Sequence, residues 1–194
     1  GMIAKAFSET KINSNELCIF SSGVSKSNEK DSYQFQKEIN LVMECIIKHS
    51  NKKFIYFSSS SIESGKKSKY ISHKLFIENL IKKNLNNFLI LRLPNVVGKT
   101  KNKIQLLPYL FDCLKENKKI SVNNNVYRYL IDVEDLPLIV NKIIQNKSLK
   151  KTITVHFNNK IKILDIIQIL EGLNNFKSSQ IDMNYLSVKE SLPD

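Results

Sequence analysis

The sequence predicts an α/β fold: a parallel sheet with helices on both faces. Short, continuous apolar runs recur at Leu17–Phe20, Phe54–Phe57 and Phe88–Leu91. The stretches between them carry apolar residues at helical spacing. Each run closes in serines, glycine or proline, the residues of loops. A strand buried on both faces reads as a continuous apolar run, and strands alternating with helices imply parallel connections.

Taken in order, Leu17–Phe20 is a buried strand feeding a Ser-Ser-Gly loop. Asp31 and Ser32 can cap a helix in which Phe35, Ile39, Val42, Met43 and Ile46 recur on one side. Phe54–Phe57 is the next strand and stops in four serines, Ser58–Ser61. Tyr70 through Lys83 reads as a helix, with Ile71, Leu75 and a stripe ending at Ile81. Phe88–Leu91 is a third strand, closed by Arg92-Leu93-Pro94. Further on, Leu106–Leu114 reads as a helix, Ile120–Val122 and Val126–Ile131 as strands around an Asn-rich turn, and Leu136–Ile144 as a helix. Ile153, Val155 and Phe157 alternate as in a strand, and Ile163–Leu170 forms a last helix. The length suits one domain, or one domain with a small appendage.

The net charge of +12 points towards anionic partners, but only Arg92 and Arg128 among the cations are arginine. The basic clusters Lys66–Lys69 and Lys99–Lys103 lack the interleaved aromatics on which bases stack, which argues against nucleic acid. The abundance of Lys, Asn and Ile matches an AT-rich coding sequence. No apolar run is long enough to span a membrane, and the first residues lack the features of a signal peptide. Gly1 before Met2 reads as an expression scar. Cys18, Cys45 and Cys113 are far apart, with no metal-ligand spacing, so no metal is expected. Free thiols suit a reducing cytoplasm.

The candidate chemistry begins with Tyr70-Ile71-Ser72-His73-Lys74. Tyr and Lys four apart share a helix face. A cation beside a phenol favours the phenolate, lowering a pKa of about 10 and making Tyr a usable acid or base. Spacing alone is weak, because Tyr33…Lys37 and Tyr185…Lys189 repeat it. Only Tyr70 opens a helix that follows a strand ending in hydroxyls. Ligands of open α/β sheets bind at such carboxyl ends. The bland alternative is a polar loop beside a snorkelling lysine.

The blocks FIYFSSSSIE, KYISHK, LILRLPNVVGK and VYRYLIDVEDL, in this order over residues 54–136, resemble the extended short-chain dehydrogenase/reductase family. Within it they are similar to the NAD-dependent nucleotide-sugar epimerase, dehydratase and reductase group, including sugar reductases of capsular polysaccharide. CIFSSGVSKS resembles the family strand whose Ser-Gly end packs near the cofactor. The resemblance covers about two thirds of the chain. It implies a Rossmann-like sheet of reduced strand number over residues 1–150, binding a dinucleotide, and a small substrate-binding C-terminal cap over residues 151–194. It implies Tyr70 as proton donor or acceptor, Lys74 as the group that lowers its pKa and binds the nicotinamide ribose, and Ser59 as holder of the reacting oxygen. Ser60 is the fallback for Ser59 and a substrate contact; Glu63 stands where the family commonly has Tyr. Pro94 would flank the nicotinamide and Asn95 would face substrate. Gly23 and Val24 would line the cofactor, and Arg128 would bind the sugar nucleotide's diphosphate. The alternative for Arg128 is an ion pair with Glu134 or Asp132.

The start departs from the family. A dinucleotide site needs a strand, a Gly-x-Gly-x-x-Gly/Ala turn and an acidic residue for the ribose. Gly1 to Ala4 match only the last four places of that turn, which makes Gly1 and Ala4 the candidate cofactor contacts. Met2 to Ser8 would be the first helix, its N-terminus facing a pyrophosphate. The strand at Leu17 follows at once, leaving no room for the second and third family strands or the ribose acid. A late start and a degenerate scaffold that binds NAD or NADP poorly both fit. The exposed sheet edge invites a homodimer. The expected function is nucleotide-sugar modification in surface-polysaccharide synthesis; the alternative is an inactive scaffold binding a sugar nucleotide or a protein.

Overall fold

The computed structural model describes residues 1–10, 15–99, 105–123, 125–145, 149–155, 160–174 and 181–184. The chain divides into two compact units, residues 1–100 with 131–156 and residues 101–130 with 157–194. The second unit thus takes two separate stretches of chain, where the sequence suggests a single cut at residue 150. Among the described residues no helix is long and apolar enough to cross a membrane.

The first unit is the expected α/β sandwich. Strands β1 (Leu17–Phe20), β2 (Lys53–Ser59), β3 (Phe88–Leu93) and, later in the chain, β8 (Lys150–Thr154) pair in the order β1-β2-β3-β8. Every pairing is parallel. Residues along a strand alternate between faces, so each continuous apolar run feeds two cores. Ile55, Phe57, Leu89 and Leu91 face helices α1 (Met2–Ser8) and α5 (Asp135–Ile143), meeting Phe7, Leu136 and Val140. Phe54, Tyr56, Phe88 and Ile90 face α2 (Ser32–Lys48) and α3 (Lys69–Asn84), meeting Val42, Ile46, Ile77 and Ile81.

Capping sets where the two long helices begin. The Asp31 side chain accepts from the backbone N–H of Tyr33, starting α2. The Ser68 hydroxyl accepts from Ile71 N–H at 3.1 Å, starting α3. Each such cap contributes about 1 kcal/mol. The buried side of α3 differs from the expected stripe. Tyr70, Ile71, His73, Lys74, Ile77, Glu78 and Ile81 are buried, whereas Leu75 is exposed. Leu75 lies one residue past Lys74, and on a helix that step turns a side chain about 100° away.

Residues expected as one strand, 126–131, form two. β6 (Tyr127–Arg128) pairs antiparallel with β9 (Ile161–Lys162) in the second unit. β7 (Leu130–Asp132), where the chain re-enters the first unit, pairs with β4 (Asn95–Val97). The two halves serve different units, so the ladder breaks at Tyr129. The second unit also holds α4 (Leu106–Lys115) and α6 (Ile163–Asn174), and β5 (Ile120–Asn123) paired with β10 (Ile181–Asn184). Its core joins Leu110, Leu114, Ile120, Ile166 and Ile167. The Tyr185…Lys189 pair and Phe157 lie outside the described residues.

Leu89 has no exposed surface and sits mid-sheet between β2 and β8. Leu89→Ala is expected to destabilise the protein by about 2–5 kcal/mol. Chemical denaturation checks this; a loss under 1 kcal/mol would mean that the β3 core repacks freely.

Candidate active site

In a parallel sheet all strands end at the same edge. Ser21 to Val24 follow β1, Ser59 ends β2, and Leu93-Pro94 end β3. A cleft of about 140 Å³ opens there, lined by Gly23, Val24, Ser59, Tyr70, Lys74 and Pro94 over an apolar floor that includes Phe57 and Leu93. Six residues singled out from the sequence are therefore brought together.

Tyr70 and Lys74 reach the cleft because they lie one turn apart on the buried side of α3. Ser59 lines the cleft together with Tyr70, and its hydroxyl lies 2.8 Å from Ser61 Oγ. Lys74 Nζ stands 5.7 Å from the centre of the Tyr70 ring. Its hydrogen bonds go elsewhere, to Glu38 Oε1 at 3.0 Å and Tyr56 OH at 3.0 Å. The expected lowering of the Tyr70 pKa by Lys74 is not what this arrangement produces. Burial pushes the phenol above its ordinary 10.0, the nearby Ser59 hydroxyl opposes, and the Glu38 charge raises it again.

Glu38 is the residue that the sequence reading missed. It is 1% exposed on α2. Its Oε1 accepts from Tyr56 OH (2.7 Å) and Lys74 Nζ (3.0 Å), and its Oε2 from Val24 N–H (2.7 Å). His73 Nε2 lies 2.9 Å from Oε2; a carboxylate only accepts, so that nitrogen carries the proton. Burial pushes the Glu38 carboxyl up, but the His73 hydrogen bond, the Lys74 charge and the Val24 and Tyr56 donors hold it at about 2. Burial lowers the Lys74 pKa while Glu38 and Glu78 support its charge. The signal was available: Glu38 falls three residues after Phe35 and four before Val42, inside the apolar stripe of α2.

A second buried carboxylate stands beside the first. Glu78 accepts from Ser58 Oγ (2.8 Å) and, through two bonds, from Arg92 Nε (2.9 Å) and Nη2 (2.8 Å). Arg92 Nη1 also lies 3.6 Å from Glu63, whose carboxylate accepts from the Thr154 hydroxyl. Glu63 thus ties the bend after β2 to β8.

The remaining candidates do not line the cleft. Ser60 opens the 3₁₀ turn Ser60–Ser64. Asn95 is exposed on β4. Gly1, the N-cap of α1, and Ala4 on α1 are exposed, and Ile3 of that helix reaches the cleft instead. Arg128 belongs to the second unit, where its Nη1 donates to the Tyr127 carbonyl at 2.9 Å. Among the described residues no cluster of His, Cys, Asp or Glu could hold a metal.

A family model for the NAD dependent epimerase/dehydratase family matches residues 3–158. The chain belongs to that family. No curated protein matches it. Solved structures agree on the fold of this family member. A dTDP-4-dehydrorhamnose reductase from Bacillus anthracis str. Ames, in complex with NADP, superposes with a TM-score of 0.69 at 18% identity, covering 89% of this chain and 66% of that one. The Bordetella bronchiseptica enzyme WbmH in complex with NAD+ gives 0.70 at 20% identity, over 88% of this chain and 62% of that one. A dTDP-glucose 4,6-dehydratase from B. anthracis str. Ames, in complex with NAD, gives 0.67 at 13% identity, over 88% and 61%. This family member spans less than two thirds of the length of these structures.

Because the folded-state pKa of Glu38 lies below its ordinary 4.5, its stabilisation is complete above that pH and is lost as pH falls through about 2. Glu38→Gln should therefore be less stable than the wild type near neutrality, and the gap should close across that interval. Urea midpoints measured against pH check this; a gap that does not change with pH would rule out an ionised Glu38.

Proposed function

We propose that this chain carries the catalytic core of a nicotinamide-dependent epimerase, dehydratase or reductase acting on a nucleotide-activated sugar, in surface-polysaccharide synthesis. The observation that carries the reading is the convergence of Ser59, Tyr70 and Lys74 on one cleft. Ser59 holds the reacting oxygen and Tyr70 gives or takes its proton, a role worth roughly 10²- to 10⁴-fold in rate.

The residues at the cleft fit the nicotinamide end of a dinucleotide. Gly23, Val24, Lys74 and Pro94 line it, and Lys74 has a proton to offer a ribose hydroxyl. A nicotinamide bound there would supply hydride chemistry. Gly1 and Ala4 belong to the pyrophosphate side of this reading. Ser60, Asn95 and Arg128 belong to its substrate side, where a planar, always-charged guanidinium suits a diphosphate. Self-association along the outer edge of β1 completes it; a strictly monomeric sedimentation profile at high concentration would remove that part.

A second reading, a scaffold that binds a sugar nucleotide or a partner protein without turnover, draws on a different observation. The Lys74 ammonium is engaged by Glu38 and the Tyr70 phenol is raised rather than lowered. Calorimetry with NAD(H) and NADP(H), together with turnover of sugar nucleotides by wild type and Tyr70→Phe, separates the two. The catalytic reading expects binding and a loss of at least about 10²-fold in Tyr70→Phe. No binding, or full activity in Tyr70→Phe, would sink it; any turnover would sink the scaffold.

A further inference from the structure

Burying an ionised carboxylate without partners costs several kcal/mol, so Glu38 needs its donors. They come from three directions: the loop after β1 (Val24), strand β2 (Tyr56) and helix α3 (His73 and Lys74). Each carboxylate oxygen takes two of the four. This is a built arrangement around one ammonium, not a chance surface pair.

We propose that Glu38 is a positioning residue that pins the Lys74 ammonium at the base of the cleft, limits the protons it can offer a ligand, and screens its charge from Tyr70. The proposal rests on reading Tyr70 as the proton-transfer group. An ammonium has three N–H donors. Two go to Glu38 and Tyr56, so a ligand with neighbouring hydroxyls obtains one hydrogen bond from Lys74 rather than two. Gly23 makes room for the pair. A Cβ at Gly23 would stand 2.6 Å from Glu38 Oε1 and 2.9 Å from Lys74 Nζ, so a side chain there would force the two apart.

The charge argument follows from what surrounds each group. Tyr70 has Ser59 beside it from β2, Lys74 from its own helix and Glu38 from α2. Lys74 has Glu38 across from it and Glu78 one turn further along α3. Glu38 faces His73, Lys74, Tyr56 and Val24 N–H. With Glu38 ionised, its carboxylate offsets the Lys74 ammonium and leaves a residual push against the phenolate. Remove the carboxylate charge and leave the ammonium, and Tyr70 faces an unscreened cation, so the phenolate becomes easier to form.

The test is the ultraviolet titration of Tyr70 in the full chain, isolated by subtracting the matching Tyr70→Phe protein in each background. Glu38→Gln should lower the Tyr70 titration by about one pH unit. Glu38→Gln combined with Lys74→Met, which removes both charges and leaves a neutral, similarly sized pair, should return it towards the wild-type position. Should the single variant fail to fold, the double variant and Lys74→Met alone still decide: loss of Lys74 alone leaves the carboxylate unscreened and should move the titration up. Identical Tyr70 titrations across the folded variants would overturn the proposal. No ligand or turnover is involved, so a failure here is distinguishable from the absence of nicotinamide binding, which would sink the catalytic reading instead.

Discussion

Glu38 and Lys74 meet at 3.0 Å with side chains 1% and 3% exposed. Removing one partner of a buried pair leaves an uncompensated charge, a loss of roughly 3–5 kcal/mol, although the intact pair contributes far less than that over an apolar replacement. Its effect is therefore on register more than on total stability. Val42 and Ile46 of α2 could slide along the apolar face of β2 and β1 at modest cost, since burial is non-directional. Glu38 cannot slide, because four donors from three segments must converge on its two oxygens. One carboxylate thus sets where α2 stops against α3 and where the loop after β1 turns.

The two ends of the sheet are held by different forces. Towards the amino ends of the strands, Phe54, Phe88, Leu85 and Ile46 pack without charges among them. At the carboxyl ends, two carboxylates on neighbouring helices gather the polar groups. Glu38 links the β1 loop, β2 and α3, while Glu78 links Ser58 of β2 to Arg92 of β3. Arg92 then passes the connection to Glu63 and so to Thr154 on β8. Hydrogen-bonded networks are directional, and a cleft that must hold its shape while part of it is open to water needs that property. Apolar packing supplies the fold; the carboxylates supply the fixed geometry of the mouth.

This division explains what could be read from the sequence. Strands and helices were legible because burial on both faces writes itself as continuous apolar runs, and a capping residue, Asp31, marks the start of α2. Tyr70, Lys74 and Ser59 were legible because a hydroxyl cluster at the end of a strand precedes the helix that carries the other two. Glu38 showed only as an acid inside the apolar stripe of α2, and Glu78 not at all, because an acidic residue in a helix ordinarily reads as part of the solvent face. Apart from Lys82, one turn from Glu78, their partners lie 14 to 36 positions away in the chain, beyond any local pattern. The break at Tyr129 was hidden for a related reason: Val126–Ile131 looks like one strand, and only the second unit's claim on Tyr127 and Arg128 splits it.

The same reasoning sets the resting state of the cleft. A buried phenolate would need a cation of its own, and the nearest one is already shared between Glu38 and Tyr56. Tyr70 is therefore held as the neutral phenol, its pKa lifted by burial and by Glu38. Tyr56 behaves alike, buried beside the same carboxylate and pushed well above its ordinary value. Two phenols, one ammonium and one carboxylate thus form a cluster with little net charge at neutral pH. Among the described residues, its unspent capacity is one Lys74 proton and the outer side of the Tyr70 hydroxyl, both at the cleft. A ligand oxygen entering the cleft would meet these two donors before any other part of the network.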